Sequence, residues 1–275
     1  MRLQPGPTIL GIGCFVVFLI AATPARHVLG WFGDTIAPLT LADSSGTIWS
    51  GSATETHYNG VNLGTTAWRF QPLDLLTGKL RYRLSLRGPG QQLDGYAGIN
   101  INGSYQAEHL KGIVKARIIP GLLNQPMIGA IGDLDIDISS IQFAASNLNE
   151  AAGKIRWQGA GITSPVAVDL GGIQFDIKGD ENGLRSTIQD IGGGLSIKGE
   201  LNLAPTGTYR ISGRILPKAS ADPALVNTLK AIGKSGTGGS IQLNFSGQLW
   251  ARFPSMTYTI QRLSASIKKR LIYCR

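Results

Sequence analysis

The sequence predicts an all-β fold: long antiparallel strands in a curled sheet or a sandwich, with one N-terminal transmembrane helix and one or two short helices. Three observations support this class. Apolar and polar residues alternate from about Leu39 onward, which is typical of strands with one face on a core and one in water. Glycine makes up 37 of the 275 residues, and glycines inside strands mark bulges and bends. One long apolar run precedes the alternating region.

The first element is this uncharged apolar run, Thr8–Thr23. With the adjoining prolines and small residues it reaches the length of about twenty residues that a membrane-spanning helix needs. A cleavable signal peptide is the main alternative, because Thr23-Pro24-Ala25 fits a small-x-small cleavage site, and a buried core helix is the third. We interpret residues 1–30 as a single-pass membrane anchor, with anchor residues Ile9, Leu10, Phe15, Val16, Val17, Phe18, Leu19 and Ile20.

The strands come next, and six segments show the alternation most clearly. In Lys79–Arg87 the leucines and the tyrosine share one face and the basic residues share the other. This pattern is typical of a half-buried antiparallel strand. The other segments are Asp133–Ile138, Ile173–Lys178, Leu195–Leu203, Tyr209–Ile215 and Ile241–Leu249.

Helical signals are few. Asp222 and Pro223 begin a short helix over Ala224–Ile232, and Gly233 ends it. A single helical turn is expected at Gln71–Gly78, and a weaker signal lies at Pro120–Asn124.

The main β domain is assigned to residues 31–250. Gly46–Gly51 and Gly153–Gly159 resemble each other, which suggests two similar halves joined near residues 125–132. Residues 251–275 form a basic tail with six Lys or Arg and no acidic residue, which leaves 20 basic and 17 acidic residues elsewhere. The body is therefore nearly balanced in charge, which argues against a nucleic-acid-binding face. The tail is either a solvated end or a contact with anionic lipid.

Candidate chemistry is sparse. Asp133, Asp135 and Asp137 alternate along a strand, and the position where a helix-loop-helix calcium loop needs glycine is Ile138. We therefore expect a charge-paired sheet face rather than a metal site, with basic partners from either Lys79–Arg87 or the face of Lys111, Lys115 and Arg117. Surface strand positions are expected for His57 and His109, and no catalytic residue, metal or cofactor is predicted.

Two blocks in the first third of the chain carry a resemblance to a known family. The first contains Ser45, Gly46, Thr47, Trp49 and Gly51, in the pattern SGT-x-W-x-G; the second contains Trp68, Pro72, Leu73, Leu76 and Gly78. Together with a later G-x-Y-x-I-S-G stretch, Gly207–Gly213, they resemble type II secretion system protein N, also called general secretion pathway protein N.

The resemblance implies a single-pass protein of the inner membrane with its main domain in the periplasm. It implies a non-catalytic scaffold or adaptor in the machinery that exports folded proteins across the outer membrane. The implied partners are other envelope components of that machinery, either the secretin or bitopic inner-membrane proteins, and membrane lipid through the anchor. Sheet edges and loops are expected to carry the contacts, with strand addition as one mode. The alternative function is a curved β module that binds or transfers lipid.

Overall fold

A computed structural model describes residues 24–25, 39–58, 60–122, 127, 129–144, 147–164 and 167–248. These residues form one 14-stranded antiparallel sheet in which the strands lie in sequence order, apart from a swap of the last two. The strands are β1 Leu39–Gly46, β2 Ser50–Tyr58, β3 Val61–Phe70, β4 Lys79–Gly88, β5 Gln91–Asn100, β6 Tyr105–Lys115, β7 Gly129–Ala144, β8 Asn147–Ser164, β9 Val168–Asp180, β10 Gly183–Gly192, β11 Leu195–Leu203, β12 Thr208–Pro217, β13 Lys234–Ser235 and β14 Ile241–Gln248.

Between Leu39 and Gln248, the helical segments that the structure describes lie in connections between strands. They are the α-helices α1, Ile119–Leu122, and α2, Pro223–Ile232, and the short 3-10 helices Pro72–Thr77, Ala116–Ile118 and Thr237–Gly239. The all-β class is confirmed, and so are the six alternating segments within the described residues, the helix beginning at Pro223 and the turn before Gly78. The structure has a single sheet in place of the sandwich alternative.

The antiparallel order gives the sheet two distinct ends. The connection at Gly46–Ser50, the 3-10 helix at Pro72–Thr77 and the turn at Ile101–Gly103 lie at one end, which we call the signature end. The connections that carry α1 and α2 lie at the other, which we call the helical end. Both family-like blocks therefore meet at the signature end.

Apolar side chains from β7 to β14 form a core on one face of the sheet, called the inner face here. Leu134, Trp157 and Ile173 lie in register across β7, β8 and β9. The Trp157 indole N–H donates to the Ile131 carbonyl at 2.8 Å, so its polar atom is satisfied inside the core. At the helical end Leu229 of α2, which is 2% exposed, joins the same cluster, which also contains Leu195, Ile197, Ile215 and Ile241.

The two segments that resemble each other occupy different settings. Gly46–Gly51 makes the connection between β1 and β2, whereas Gly153–Gly159 lies inside β8. The sheet runs on through the proposed join, because β6 pairs directly with β7. The division of residues 31–250 into two similar halves stays a prediction.

Candidate functional site: the signature end and the open edge of β14

The turn between β1 and β2 is built by Thr47. Its backbone N–H donates to the Ser50 carbonyl at 2.9 Å. Its hydroxyl oxygen accepts the backbone N–H groups of Trp49 at 3.3 Å and Ser50 at 3.2 Å. Gly46 enters the turn with φ of 86°, and an added Cβ would lie 2.5 Å from the Ser50 oxygen. Glycine is therefore required at this position for both conformation and space.

Trp68 of β3 locks the same turn from the neighbouring strand. Its indole N–H donates to the Thr47 carbonyl at 3.0 Å. Its ring covers Gly51, where an added Cβ would lie 2.6 Å from Trp68 Cζ2 and 2.4 Å from the Ser45 carbonyl oxygen. The five residues of the first block and Trp68 of the second thus form one packed unit.

A row of aromatic rings continues from this unit into the sheet. The ring centroids of Trp49 and Phe70 are 4.9 Å apart, and those of Phe70 and Tyr82 are 5.5 Å apart. The Phe70 backbone N–H donates to the Trp49 carbonyl at 2.7 Å, which ties the turn to the end of β3. Burial in this row raises the pKa of Tyr82, because it disfavours the charged phenolate.

The 3-10 helix Pro72–Thr77 is held rigidly at the signature end. Gly78 ends it in the left-handed conformation, with φ of 73°, and donates its N–H to the Leu75 carbonyl at 3.0 Å. Arg81 of β4 pairs with Asp74 at 2.6 Å and with Glu108 of β6 at 2.7 Å. Burial opposes the charge on Arg81, but the hydrogen bonds to both carboxylates outweigh it and hold its pKa above the usual value.

This rigid helix presents leucines to the solvent. Leu73 is 77% exposed and Leu76 is 85% exposed. Ile101, which is 91% exposed, lies beside them because its backbone N–H donates to the Gly78 carbonyl at 2.8 Å. We call Leu73, Leu75, Leu76 and Ile101 the leucine tip. The sequence pattern identified Leu73 and Leu76 as motif residues, but it gave no signal for Ile101, which belongs to a different turn.

The chain segment that follows the predicted anchor also reaches the signature end. Pro24 forms an isolated antiparallel bridge with Thr47, and Ala25 is buried. The anchor residues Ile9 to Ile20 lie outside the described residues. Within the part of the chain that is described, no helix combines the length and the apolar character needed to cross a bilayer.

Among the residues that the structure describes, the last long strand, β14, has one side covered only in part. Its other side pairs with β12 from Thr208↔Gln248 to Ile215↔Ile241. On the outer side β13 pairs only with Gln242 and Ile241. Within the described residues, no strand pairs with the outer side of β14 from Leu243 to Gly247.

The hydrogen-bonding pattern shows which groups point outward from β14. Thr208 of β12 accepts the backbone N–H of Ala204, just after β11, and Lys218, just after β12, donates its N–H to the Gly194 carbonyl, just before β11. The even-numbered residues of β12 therefore direct their backbone groups toward β11. The odd-numbered ones face β14, where their partners include Phe245 and Gly247. Because alternate residues point opposite ways, the backbone groups of Asn244 and Ser246 point to the open edge.

The two edges of the sheet differ in how they are protected. β1 is interrupted at Asp43, which has φ of 47° and is skipped in the register with β2, and irregular edges of this kind hinder pairing with other chains. β14 has the sequence IQLNFSGQ, with no charge and no proline. Phe245 is 47% exposed beside its open edge. The β14 edge is therefore the better template for an added strand.

The three aspartates form ion pairs across the outer face of the sheet. Asp133 pairs with Lys115 at 2.6 Å and Asp137 with Lys111 at 3.2 Å, so these partners come from the second of the two basic faces that the sequence offered. Asp135 pairs with Arg156 of β8 at 3.1 Å, a partner that the sequence did not reveal. The charge-paired face is confirmed. His57 and His109 lie in β2 and β6, as expected.

Comparisons with known proteins agree on one family. Residues 37–244 match the family described as type II secretion system (T2SS), protein N. A relative from Vibrio cholerae, named type II secretion system protein N, is 27% identical over 220 residues, covering 77% of this chain and 85% of its own length. Relatives of the same name from Klebsiella pneumoniae and Pectobacterium carotovorum are 27% and 22% identical, over 79% and 90% of this chain and 84% and 100% of their own. No solved structure gives a significant match.

Proposed function

Because the chain belongs to the type II secretion system protein N family, we propose that it is a non-catalytic scaffold of the type II secretion machinery. In this proposal residues 1–30 anchor it in the inner membrane and the β domain lies in the periplasm. A role in type II secretion and association with other components of that system follow from the family. The scaffold activity, the location and the contact surface described next are the proposal.

The observation that carries the scaffold function is the open edge of β14. Asn244 and Ser246 direct backbone donors and acceptors outward, and Phe245 offers an apolar side chain beside them. An extended segment of a partner would satisfy these groups by adding one strand to the sheet. Backbone bonds would supply affinity, and the side chains flanking Phe245 would select the partner. We propose that the partner is another envelope component, the secretin or a bitopic inner-membrane protein.

The packing of the inner face supports a scaffold over a lipid carrier. A lipid-binding groove has to leave apolar space for acyl chains. Toward the helical end the inner face of β7–β14 is instead filled by the protein's own side chains, with Leu195 fully buried and Ile241 1% exposed. At the helical end α2 covers this face through Leu229. The packed region therefore suits a rigid scaffold better than a groove that holds acyl chains.

A pair of proline substitutions in β14 tests the proposal. Ser246→Pro removes an N–H that points to the open edge, so the sheet should keep its stability. Phe245→Pro removes an N–H that faces β12, so it should destabilise the fold by about 1–3 kcal/mol or more. The two adjacent substitutions thus separate loss of docking from loss of folding.

The assay is photo-crosslinking in secreting cells, with a photoreactive amino acid at Asn244 and, as a control, at Gln92 inside the sheet. We expect Asn244 to capture a secretion component and Gln92 to capture none. Ser246→Pro should abolish the Asn244 adduct and reduce export, while its melting temperature stays that of the parent. Capture of phospholipid alone at Asn244, or unchanged capture and export in a stably folded Ser246→Pro variant, would refute the scaffold proposal.

A further inference from the structure

Within the part of the chain that the structure describes, two arginines near the signature end have no acidic partner. Arg69 of β3 and Arg83 of β4 are directly opposite each other in register. Both side chains are exposed, and among the described residues neither lies within 4.0 Å of a carboxylate. Like charges in this arrangement repel each other. They line an outer-face groove of about 450 Å³ together with Ser50 and the ion-paired Arg87 and Asp94. An anion could occupy this groove beside Arg69 and Arg83, because Arg87 already neutralises Asp94.

The leucine tip projects beyond these arginines at the same end. Its four apolar side chains come from two turns that are tied together by the bond between Ile101 and Gly78. The ion pairs of Arg81 with Asp74 and Glu108 fix the 3-10 helix that carries three of them. The exposure is therefore a property of a rigid structure, and an apolar patch of this kind marks an interaction site.

The position of Pro24 indicates what covers the tip. Its bridge to Thr47 places Pro24, the residue that directly follows the predicted anchor Thr8–Thr23, at the signature end. A domain held there by its anchor turns that end toward the bilayer. We propose that the leucine tip inserts into the membrane interface and that Arg69 and Arg83 bind the phosphates of anionic phospholipids. This proposal deepens the proposed function and rests on its membrane tether.

The spacing of these residues matches the layers of a bilayer. Arg83 lies four residues along β4 from Lys79, at the base of the 3-10 helix, which is about 13 Å along the strand. Apolar side chains at an interface insert about 5–10 Å past the headgroup boundary. With the leucines inserted, the two guanidinium groups lie close to headgroup phosphates. A second copy of this chain would cover the leucines but would bring a second pair of unpartnered arginines, so anionic lipid is the better complement.

The test uses the full chain reconstituted in vesicles of phosphatidylethanolamine and phosphatidylglycerol. Cys14 and Cys274 are replaced by serine, and an environment-sensitive fluorophore is attached through Leu76→Cys. The control carries it through Gln92→Cys, at the opposite end of the hairpin formed by β4 and β5. We expect lipids with nitroxides on their acyl chains to quench the label at position 76 and to leave the label at position 92 unchanged.

A second comparison tests the arginines. The double variant Arg69→Gln/Arg83→Gln should reduce quenching at position 76 in vesicles that contain phosphatidylglycerol. In pure phosphatidylcholine it should have no effect. Arg214→Gln, an exposed arginine toward the helical end, is the matched control and should change neither. Equal quenching for the double variant and the parent in both vesicle types would overturn the phospholipid assignment.

The possible failures are distinguishable by flotation. A chain that does not float with vesicles overturns both the membrane tether and the docking of the tip. A chain that floats while the label at position 76 stays unquenched overturns the docking and leaves the tether intact. A shift in emission at position 76 without quenching by lipid would show that protein, such as a second copy, covers the tip, and this too overturns the proposal.

Discussion

Gly51→Ala gives the sharpest test of the packing at the signature end. The added Cβ would lie 2.4 Å from the Ser45 carbonyl oxygen and 2.6 Å from Trp68 Cζ2. The first contact is with backbone, so β1 itself has to move. Overpacking of this kind costs about 1–3 kcal/mol, and alanine in a strand offsets about 0.5–1 kcal/mol of it. We expect a net loss of up to about 2.5 kcal/mol.

Gly213→Ala is the matched control for this substitution. It also lies inside a strand, but its added Cβ would lie 3.5 Å from the Lys198 oxygen and 3.8 Å from Gly199 Cα, which are ordinary contacts. It should therefore gain about 0.5–1 kcal/mol. Denaturant unfolding of both variants in the same detergent measures the difference, and hydrogen exchange over Thr47–Ser50 locates it. Equal stability of the two variants would refute the argument that Trp68 and Gly51 are fitted to each other.

Two further predictions concern the helical end. Burial opposes ionisation of Asp190, but the hydrogen bonds from Lys218, at 2.9 Å, and from the Ile197 N–H outweigh it and lower its pKa below the usual 3.8. Asp190→Asn should therefore lower the free energy of unfolding by about 1 kcal/mol at neutral pH. In thermal melts this difference in stability between the variant and the parent should vanish as the pH falls below 3.8 through the folded-state pKa of Asp190. A stability difference that stays constant at all pH values would contradict the prediction. Leu229→Ala should cost about 2–5 kcal/mol because Leu229 packs beneath α2, whereas Leu76→Ala, at the exposed tip, should stay within about 0.5 kcal/mol of the parent in the same denaturant titration.

Local features of the fold were predictable from the sequence. Alternation located β4 and β11 to within a residue, because one face of each strand packs on a core and the other meets water. The helix start at Pro223 followed from cap chemistry. Long-range register was not predictable: the pairing of Asp135 with Arg156 depends on how β7 aligns with β8, and two of the bulges in that pair, between Gly129 and Asp133, precede it.

The candidate sites likewise have local features that the sequence shows and long-range features that it does not. Both family-like blocks were visible in the sequence, but the pattern of the second does not separate residues that pack, such as Trp68, from residues that project, such as Leu76. That distinction arises only when the two blocks meet at one end of the sheet. The open edge of β14 was also hidden, because an edge is a property of strand order, and IQLNFSGQ on its own equally suits a strand inside a sheet.

The sequence-ordered sheet has a consequence for how the protein forms. Nearly every strand pairs with the strand made just before it, so a nascent chain can assemble the sheet one hairpin at a time, starting from its amino-terminal side. No early strand depends on a partner that is distant in sequence, and this limits the lifetime of aggregation-prone folding intermediates. The growing front of such an assembly is always the newest strand. In the finished protein that front lies at β14, so a partner that adds a strand there would continue the sheet in the direction in which synthesis extended it.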